Sequence, residues 1–201
     1  MRIRISVILL VFISLFIHRV NAQDILLIEQ MVKYAKKDNL SLPKPLSDGR
    51  IQTLNNMGAT SPKLDWISKD FIKYVSRKDR KVLEVGTAYG LVSVIGALKA
   101  GNKNYLAIDL DKRHLGILAL EVKNKYPQFS SYIKFIVGEY PKDINFSDNY
   151  FDAILISRVL HFFSSYEIEK TLTDLYRILK PGGRVYTMAI TPYVKRLSLF
   201  I

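Results

Sequence analysis

Apolar positions along the chain change their spacing several times, and each change marks a different kind of element. From Asp24 to Lys37 they fall at Ile25, Ile28, Met31, Val32 and Ala35, a helical spacing that buries one face of a packing or lid helix. From Asp38 to Pro62 the period is lost among Pro43, Pro45, Gly49, Gly58 and several asparagines, which marks loop or short irregular structure. A second helix follows on Leu64, Ile67, Phe71, Tyr74 and Val75 and is closed by the charged run Arg77-Lys78-Asp79-Arg80-Lys81. Short continuous apolar runs then alternate with helical patterns. Strands are predicted at Val82 to Val85, Tyr105 to Leu110, Ile133 to Val137, Ala153 to Ile156 and Arg184 to Ile190, with helices at Leu91 to Lys99, Lys112 to Asn124 and Glu167 to Leu179. This alternation predicts an α/β fold: a doubly wound, mostly parallel sheet of about five strands, preceded by N-terminal helices, with ligands at the carboxyl ends of the strands. Ser164-Ser165-Tyr166-Glu167 fits a capping box, and Ile168, Leu172, Leu175 and Leu179 would form the inner face of the last helix. Pro181-Gly182-Gly183 is expected to end that helix before the fifth strand.

With 201 residues, nearly half of them hydrophobic, the chain can bury one sizeable core, and disorder is not expected. Residues 1–22 stand apart. Arg2 and Arg4 precede an apolar stretch from Ile5 to Ile17, and Val20-Asn21-Ala22 offers a small-residue cleavage site, the anatomy of a secretory signal peptide. The apolar stretch is 13 residues long, short of the roughly 20 that span a bilayer. Export or secretion is therefore the expected localisation, with membrane anchoring through this segment or a cytoplasmic protein as alternatives. The organisation read from the sequence is a leader over 1–22, a helical region over 23–80 and a main domain over 81–201. Losing Arg2, Arg4 and Arg19 with the leader lowers the formal charge from +12 to +9. The lysines of the remainder are scattered, with Asp65, Asp70 and Asp79 among them, which favours a solvated surface over a nucleic-acid groove. The lack of cysteine excludes disulfides, thiolate metal sites and a cysteine nucleophile.

The candidate chemistry begins at Val82-Leu83-Glu84-Val85-Gly86-Thr87-Ala88-Tyr89-Gly90, an apolar strand ending in an acid and a small-residue turn. Gly86, Ala88 and Gly90 let the backbone bend sharply and pass close to a ligand, as nucleotide-like cofactors require. Asp109 lies 23 residues beyond Gly86, at the end of the second strand of the sheet, where a carboxylate can accept ribose hydroxyls. Asp111 reads as the helix N-cap ahead of Lys112. A nicotinamide fingerprint would place glycine at 86, 88 and 91, but positions 88 and 91 are Ala88 and Leu91. Instead, Glu84-x-Gly86-x-x-x-Gly90 with Asp109, Phe151-Asp152-Ala153-Ile154-Leu155 and Leu179-Lys180-Pro181-Gly182-Gly183 resembles the class I S-adenosylmethionine-dependent methyltransferases, from about Lys81 to Ile190.

That resemblance implies a Rossmann-like domain, S-adenosyl-L-methionine as cofactor and methyl transfer to an acceptor. It assigns Gly86, Thr87, Ala88 and Gly90 to the methionine part of the cofactor and Asp109 to the ribose. Glu84 would orient the loop or reach the ammonium through water, or else cap backbone amides. Glu139 stands where the family often has an aspartate for the adenine amino group, and Tyr140 would stack on the adenine or pack within its loop. The Ser157 carbonyl would meet the cofactor's amino group, and Asp152 would support structure. His161, in Leu160-His161-Phe162, would sit near the methyl-transfer face as a general base or hold its loop together. His114 is expected to face outward. No metal is implied, because displacement at an activated sulfonium needs alignment and exclusion of water above all.

Two departures from the family pattern shape the expectation. Only Thr191 to Ile201 follow the fifth strand, where the family continues with an antiparallel hairpin, so the domain reads as lacking its C-terminal strands. The leader also conflicts with a cofactor made in the cytosol. A truncated or degenerate relative acting as a binding module without catalysis is therefore the alternative to the enzyme. The acceptor, a small molecule or a protein, and the oligomeric state are not fixed by the sequence.

Overall fold

The computed structural model describes residues 25–77 and 79–189, so the leader-like segment and Thr191 to Ile201 lie outside the described residues. Five α-helices, two three-residue 3₁₀ helices and seven strands are defined among the described residues. Helix α1 (Ile28–Lys37) buries Ile28, Met31, Val32 and Ala35, the face its spacing predicted, and carries Glu29 in its first turn and Lys36 and Lys37 in its last. It packs against α4 (Lys112–Lys125) and is a packing helix. Strands β1 (Ile51–Gln52) and β2 (Ala59–Thr60) form a small antiparallel hairpin inside the stretch read as loop. Helix α2 (Trp66–Val75) is capped by Asp65, whose side chain accepts from Ser68 N.

The sheet comprises β3 (Lys81–Val85), β4 (Asn104–Asp109), β5 (Ile133–Val137), β6 (Phe151–Ser157) and β7 (Leu179–Met188), with α3 (Ser93–Lys99), α4 and α5 (Ser165–Ile178) between them. All four pairings are parallel, in the order β5-β4-β3-β6-β7. The chain leaves β3 for β4 on one side and later returns to β6 on the other, so a crevice opens at the carboxyl ends where the order reverses. Alternate residues of each strand feed separate cores. Val82, Tyr105, Ala107, Phe135, Ala153 and Leu155 pack under α1, α2 and α4, whereas Leu83, Val85, Ile108, Ile136, Ile154 and Ile156 pack with Tyr140, Phe146, Leu175 and Ile178. Burial on both faces explains why the strands read as unbroken apolar runs. Beside β5, Leu26 exchanges two backbone hydrogen bonds with Phe135, at 2.8 and 3.0 Å.

Two expectations fail at the C-terminal end. Pro181-Gly182-Gly183 does not end a helix: α5 stops at Ile178, β7 starts at Leu179, and the three residues bulge out of the strand. Phe151 pairs with Leu179 and Ala153 with Arg184, so Asp152 alone faces four residues. A proline without an N–H fits such a bulge. Asp152 pins it, accepting from Lys180 Nζ at 2.8 and 2.9 Å and from Lys81 N at 2.8 Å, the structural role expected of it. The inner face of α5 is also turned from the predicted one. Thr171, Leu175 and Ile178 are buried, while Leu172 is 45% exposed. Polar anchoring sets this rotation: Asp174 accepts from the Tyr140 hydroxyl, and Arg177 donates to Asp174, Asn145 and the Phe146 carbonyl.

Candidate active site

The turn after β3 holds three residues in the left-handed region: Gly86 at φ 70°, Ala88 at 47° and Gly90 at 55°. A Cβ on Gly86 would lie 2.3 Å from Val159 Cγ2, and one on Gly90 would lie 2.6 Å from Val94 Cγ2 and 2.8 Å from Leu118 Cδ2. Only glycine meets both the angle and the space at these two positions. Ala88 pays roughly 1–2 kcal/mol for its conformation, and Asp109 offsets this because Oδ2 accepts from Ala88 N at 2.7 Å. Thr87 N donates to Ile108 O at 2.9 Å and Gly90 N to Thr87 O at 3.0 Å, which ties the turn to β4 and to itself.

Two buried acids stand beside the turn. Glu84, 5% exposed, accepts from Ser93 Oγ and from Tyr105 OH, both at 2.7 Å. Burial outweighs these bonds and pushes its carboxyl up to about 7. Asp109, also 5% exposed, accepts through Oδ1 from Asp111 N at 2.9 Å and through Oδ2 from Ala88 N. His114 corrects an expectation: it faces inward, 1% exposed, with Nδ1 3.1 Å from Asp109 Oδ1 and Nε2 accepting from Leu54 N at 3.0 Å. Asp111 caps α4 by accepting from Arg113 N at 3.0 Å.

These groups line a cleft of about 360 Å³ at the carboxyl ends of β3, β4 and β6, a size suited to a cofactor-sized ligand. Glu84, Gly86, Thr87, Ala88, Gly90, Asp109, Glu139, Tyr140, Ser157 and His161 all border it, so the structure gathers every candidate residue around one space. Their side chains are not equally free. The Glu139 carboxylate pairs with Lys142 at 3.0 Å on the surface. Tyr140 is buried against Phe146 and its hydroxyl donates to Asp174, so its ring and hydroxyl serve loop packing; burial raises its pKa further above the ordinary tyrosine range. His161 is exposed at the rim, its ring beside Phe162, and takes no hydrogen bond among the described residues.

The sequence reading missed the far wall. The β1–β2 hairpin and its flanks supply Thr53, Asn55, Met57, Thr60 and Lys63 to the cleft. Three side chains of the sheet domain hold this wall: Tyr89 OH donates to Gln52 O at 2.9 Å, Arg113 Nη2 donates to Leu54 O at 3.1 Å, and His114 accepts from Leu54 N. Asn55-Asn56-Met57-Gly58 is the signal that could have revealed the turn, with Asn56 at φ 59°. Arg158, also missed, borders the cleft at φ 58°, with Nη2 3.2 Å from Asp65 Oδ2 and its N–H donating to Met188 O.

Comparison with known proteins agrees with this arrangement. A family model described as a methyltransferase domain matches residues 82–183, just over half of the chain. The demethylmenaquinone methyltransferase of Thermus thermophilus is 24% identical over 143 residues, which cover 71% of this chain and 62% of that protein. The polyketide synthase component of compactin nonaketide synthase from Penicillium citrinum is 23% identical over 129 residues, 62% of this chain and 4% of that protein. The chain thus spans less than two thirds of either relative's length. Among solved structures, a protein of Pyrococcus horikoshii OT3 superposes with a TM-score of 0.53 at 22% identity, over 66% of this chain and 59% of that one. The [4+2]-cyclase SpnF gives 0.51 at 19%, over 64% and 47%. These structural similarities show a shared fold.

Proposed function

The chain belongs to the methyltransferase domain family, and on that premise we propose that it binds S-adenosyl-L-methionine in this cleft and methylates an acceptor seated against the β1–β2 hairpin. The observation that carries the reading is the pair of buried acids at the ends of neighbouring strands, flanking a turn with three left-handed residues. The donor set fits the cofactor. A carboxylate offers about four lone-pair sites; with three engaged, Asp109 retains one for a ribose hydroxyl, and Glu84, which has two donors, gains capacity for an ammonium group as it ionises at about pH 7. When bound, the cofactor supplies an electrophilic methyl group on a sulfonium.

The chain's own residues then hold and screen. The backbone of Gly86, Thr87, Ala88 and Gly90 borders the ligand, and Asp109 fixes the turn and the ribose together. Ser157 ends β6 at the cleft, where its carbonyl would accept from the cofactor's amino group, and Glu139, also at the cleft, would serve the adenine. His161 Nδ1 or Nε2, free of hydrogen bonds among the described residues, takes the proton of an acceptor that must lose one. Met57, Leu91, Val159, Phe162 and Phe163 make the cleft largely apolar and help exclude water, which favours a small acceptor with an apolar body over a nucleic acid. The Thermus relative is named for an acceptor of small-molecule class, demethylmenaquinone.

Calorimetry with S-adenosylmethionine and S-adenosylhomocysteine tests the reading. Saturable binding of both is expected, weakened about tenfold or more by Asp109→Ala, as for a lost hydrogen bond to a charged group. Absence of heat with either ligand at millimolar concentration would refute it. Incubation with methyl-labelled cofactor and fractionated extract then seeks the acceptor. Binding without any transfer would make the chain a binding module.

A further inference from the structure

We propose that His114 is a positioning residue that orients Asp109 toward the cofactor's ribose while fixing the far wall of the cleft; the inference rests on the cofactor reading above. His114 is 1% exposed on a helix whose neighbouring positions Leu115, Ile117 and Leu118 are buried as well. An imidazole buried there is costly unless both nitrogens find partners, and both do. The Leu54 N–H can only donate, so Nε2 must present its lone pair at 3.0 Å. The ring proton therefore sits on Nδ1, aimed at Asp109 Oδ1 3.1 Å away.

This tautomer is imposed by a backbone group. Tyr89 holds the ring edge-to-face at 5.1 Å, and the other nearby acid, Asp111, lies 3.9 Å from Nε2 with its own oxygens engaged by Arg113. With His114 and Asp111 N on Oδ1 and Ala88 N on Oδ2, the Asp109 carboxylate is fixed from three directions. The peptide of Leu54 is fixed in turn, its N–H by His114 and its carbonyl by Arg113. One imidazole thus sets the ribose acid and the wall that faces it.

The test uses the full chain, His114→Met and His114→Gln, and calorimetry with S-adenosylhomocysteine and its 2′-deoxyribose analogue. Wild type should prefer the ribose form. In His114→Met that preference should fall by about tenfold, the loss expected when one hydrogen bond to a charged group is misaligned. His114→Gln, whose amide can donate to Asp109 and accept from Leu54 N, should recover most of the preference. An unchanged preference in His114→Met overturns the proposal, whatever the variant's melting temperature, because a merely structural role would weaken both ligands equally. Wild type that binds neither ligand would instead defeat the cofactor reading. Should His114→Met fail to fold, nitrogen-15 NMR of the wild-type imidazole decides: the Nδ1–H tautomer, with a shift that moves on S-adenosylhomocysteine addition, supports the proposal, and an Nε2–H tautomer or an unmoved shift overturns it.

Discussion

Replacing Glu84 with glutamine should flatten a pH dependence that this one carboxyl imposes on the fold. In the unfolded chain the group titrates near 4.5, and in the folded protein burial carries it to about 7, with the charge of Asp109 adding to the shift. A carboxyl raised on folding binds more protons in the native state, so its contribution is full below about pH 4.5 and is lost as pH rises through about 7. At 1.36 kcal/mol per pH unit, the difference amounts to about 3 kcal/mol, a large fraction of the 5–15 kcal/mol that typically holds a domain together. Asp111 acts in a different window: the Arg113 hydrogen bond holds it below 3.8, and its contribution is lost only as pH falls through that lower range. Urea unfolding followed by circular dichroism, at about pH 4 and about pH 8, separates the two effects when wild type and Glu84→Gln are compared. The variant should match wild type at the lower pH and exceed it by up to about 3 kcal/mol at the higher one. Ser93 keeps its acceptor in the variant, and the Tyr105 hydroxyl can turn to accept from the new amide. Parallel pH profiles, within about 0.5 kcal/mol, would refute a neutral Glu84 in the folded protein.

Gly86→Ala forces a left-handed alanine whose Cβ meets Val159 Cγ2, and it should cost about 2–4 kcal/mol by thermal unfolding; Val159→Ala should return the steric part, and a double mutant no better than the single would refute the clash. Tyr140→Phe should lose about 1 kcal/mol of stability with cofactor affinity intact, whereas a tenfold loss of affinity would restore the ring to the cofactor. His161→Ala should lower kcat by about 100-fold or more while leaving the Kd for S-adenosylmethionine near wild type, and equal losses in single-turnover and binding assays would make the residue structural.

The sheet was legible because its strands are buried on both faces, so five short apolar runs stood out between helices; the bounds of the first four fell within two residues of the observed ones, while β7 begins five residues ahead of the expected Arg184. The small-residue turn and Asp109 were legible because a left-handed turn and a strand-end acid restrict residue type. The remainder depended on contacts distant in sequence. Helix α4 buries His114, Leu115, Gly116, Ile117, Leu118, Ala119 and Val122, so it is apolar almost all round, and periodicity alone could not tell which way His114 points. The hairpin strands are two residues long, too short for an alternating pattern, and exist because Tyr89, Arg113 and His114 hold them. Pro181-Gly182-Gly183 looked like a helix stop because the same residues suit a strand bulge, and only Asp152 on the neighbouring strand distinguishes the two.

The hairpin wall has a consequence for how such a protein can diversify. Residues 51–61 lie outside the segment that matches the family, yet they form one side of the cleft and join the sheet domain through main-chain atoms of Gln52 and Leu54 and through the buried Ile51 side chain, which packs with Tyr89 and Ile117. Main-chain attachment is indifferent to most side-chain changes. Asn55, Met57 and Thr60 can therefore vary as an exchangeable cassette, admitting a new acceptor while the floor of Gly86, Asp109 and Glu84 is left as it is. A library confined to those three positions would explore acceptor choice at little risk to the fold.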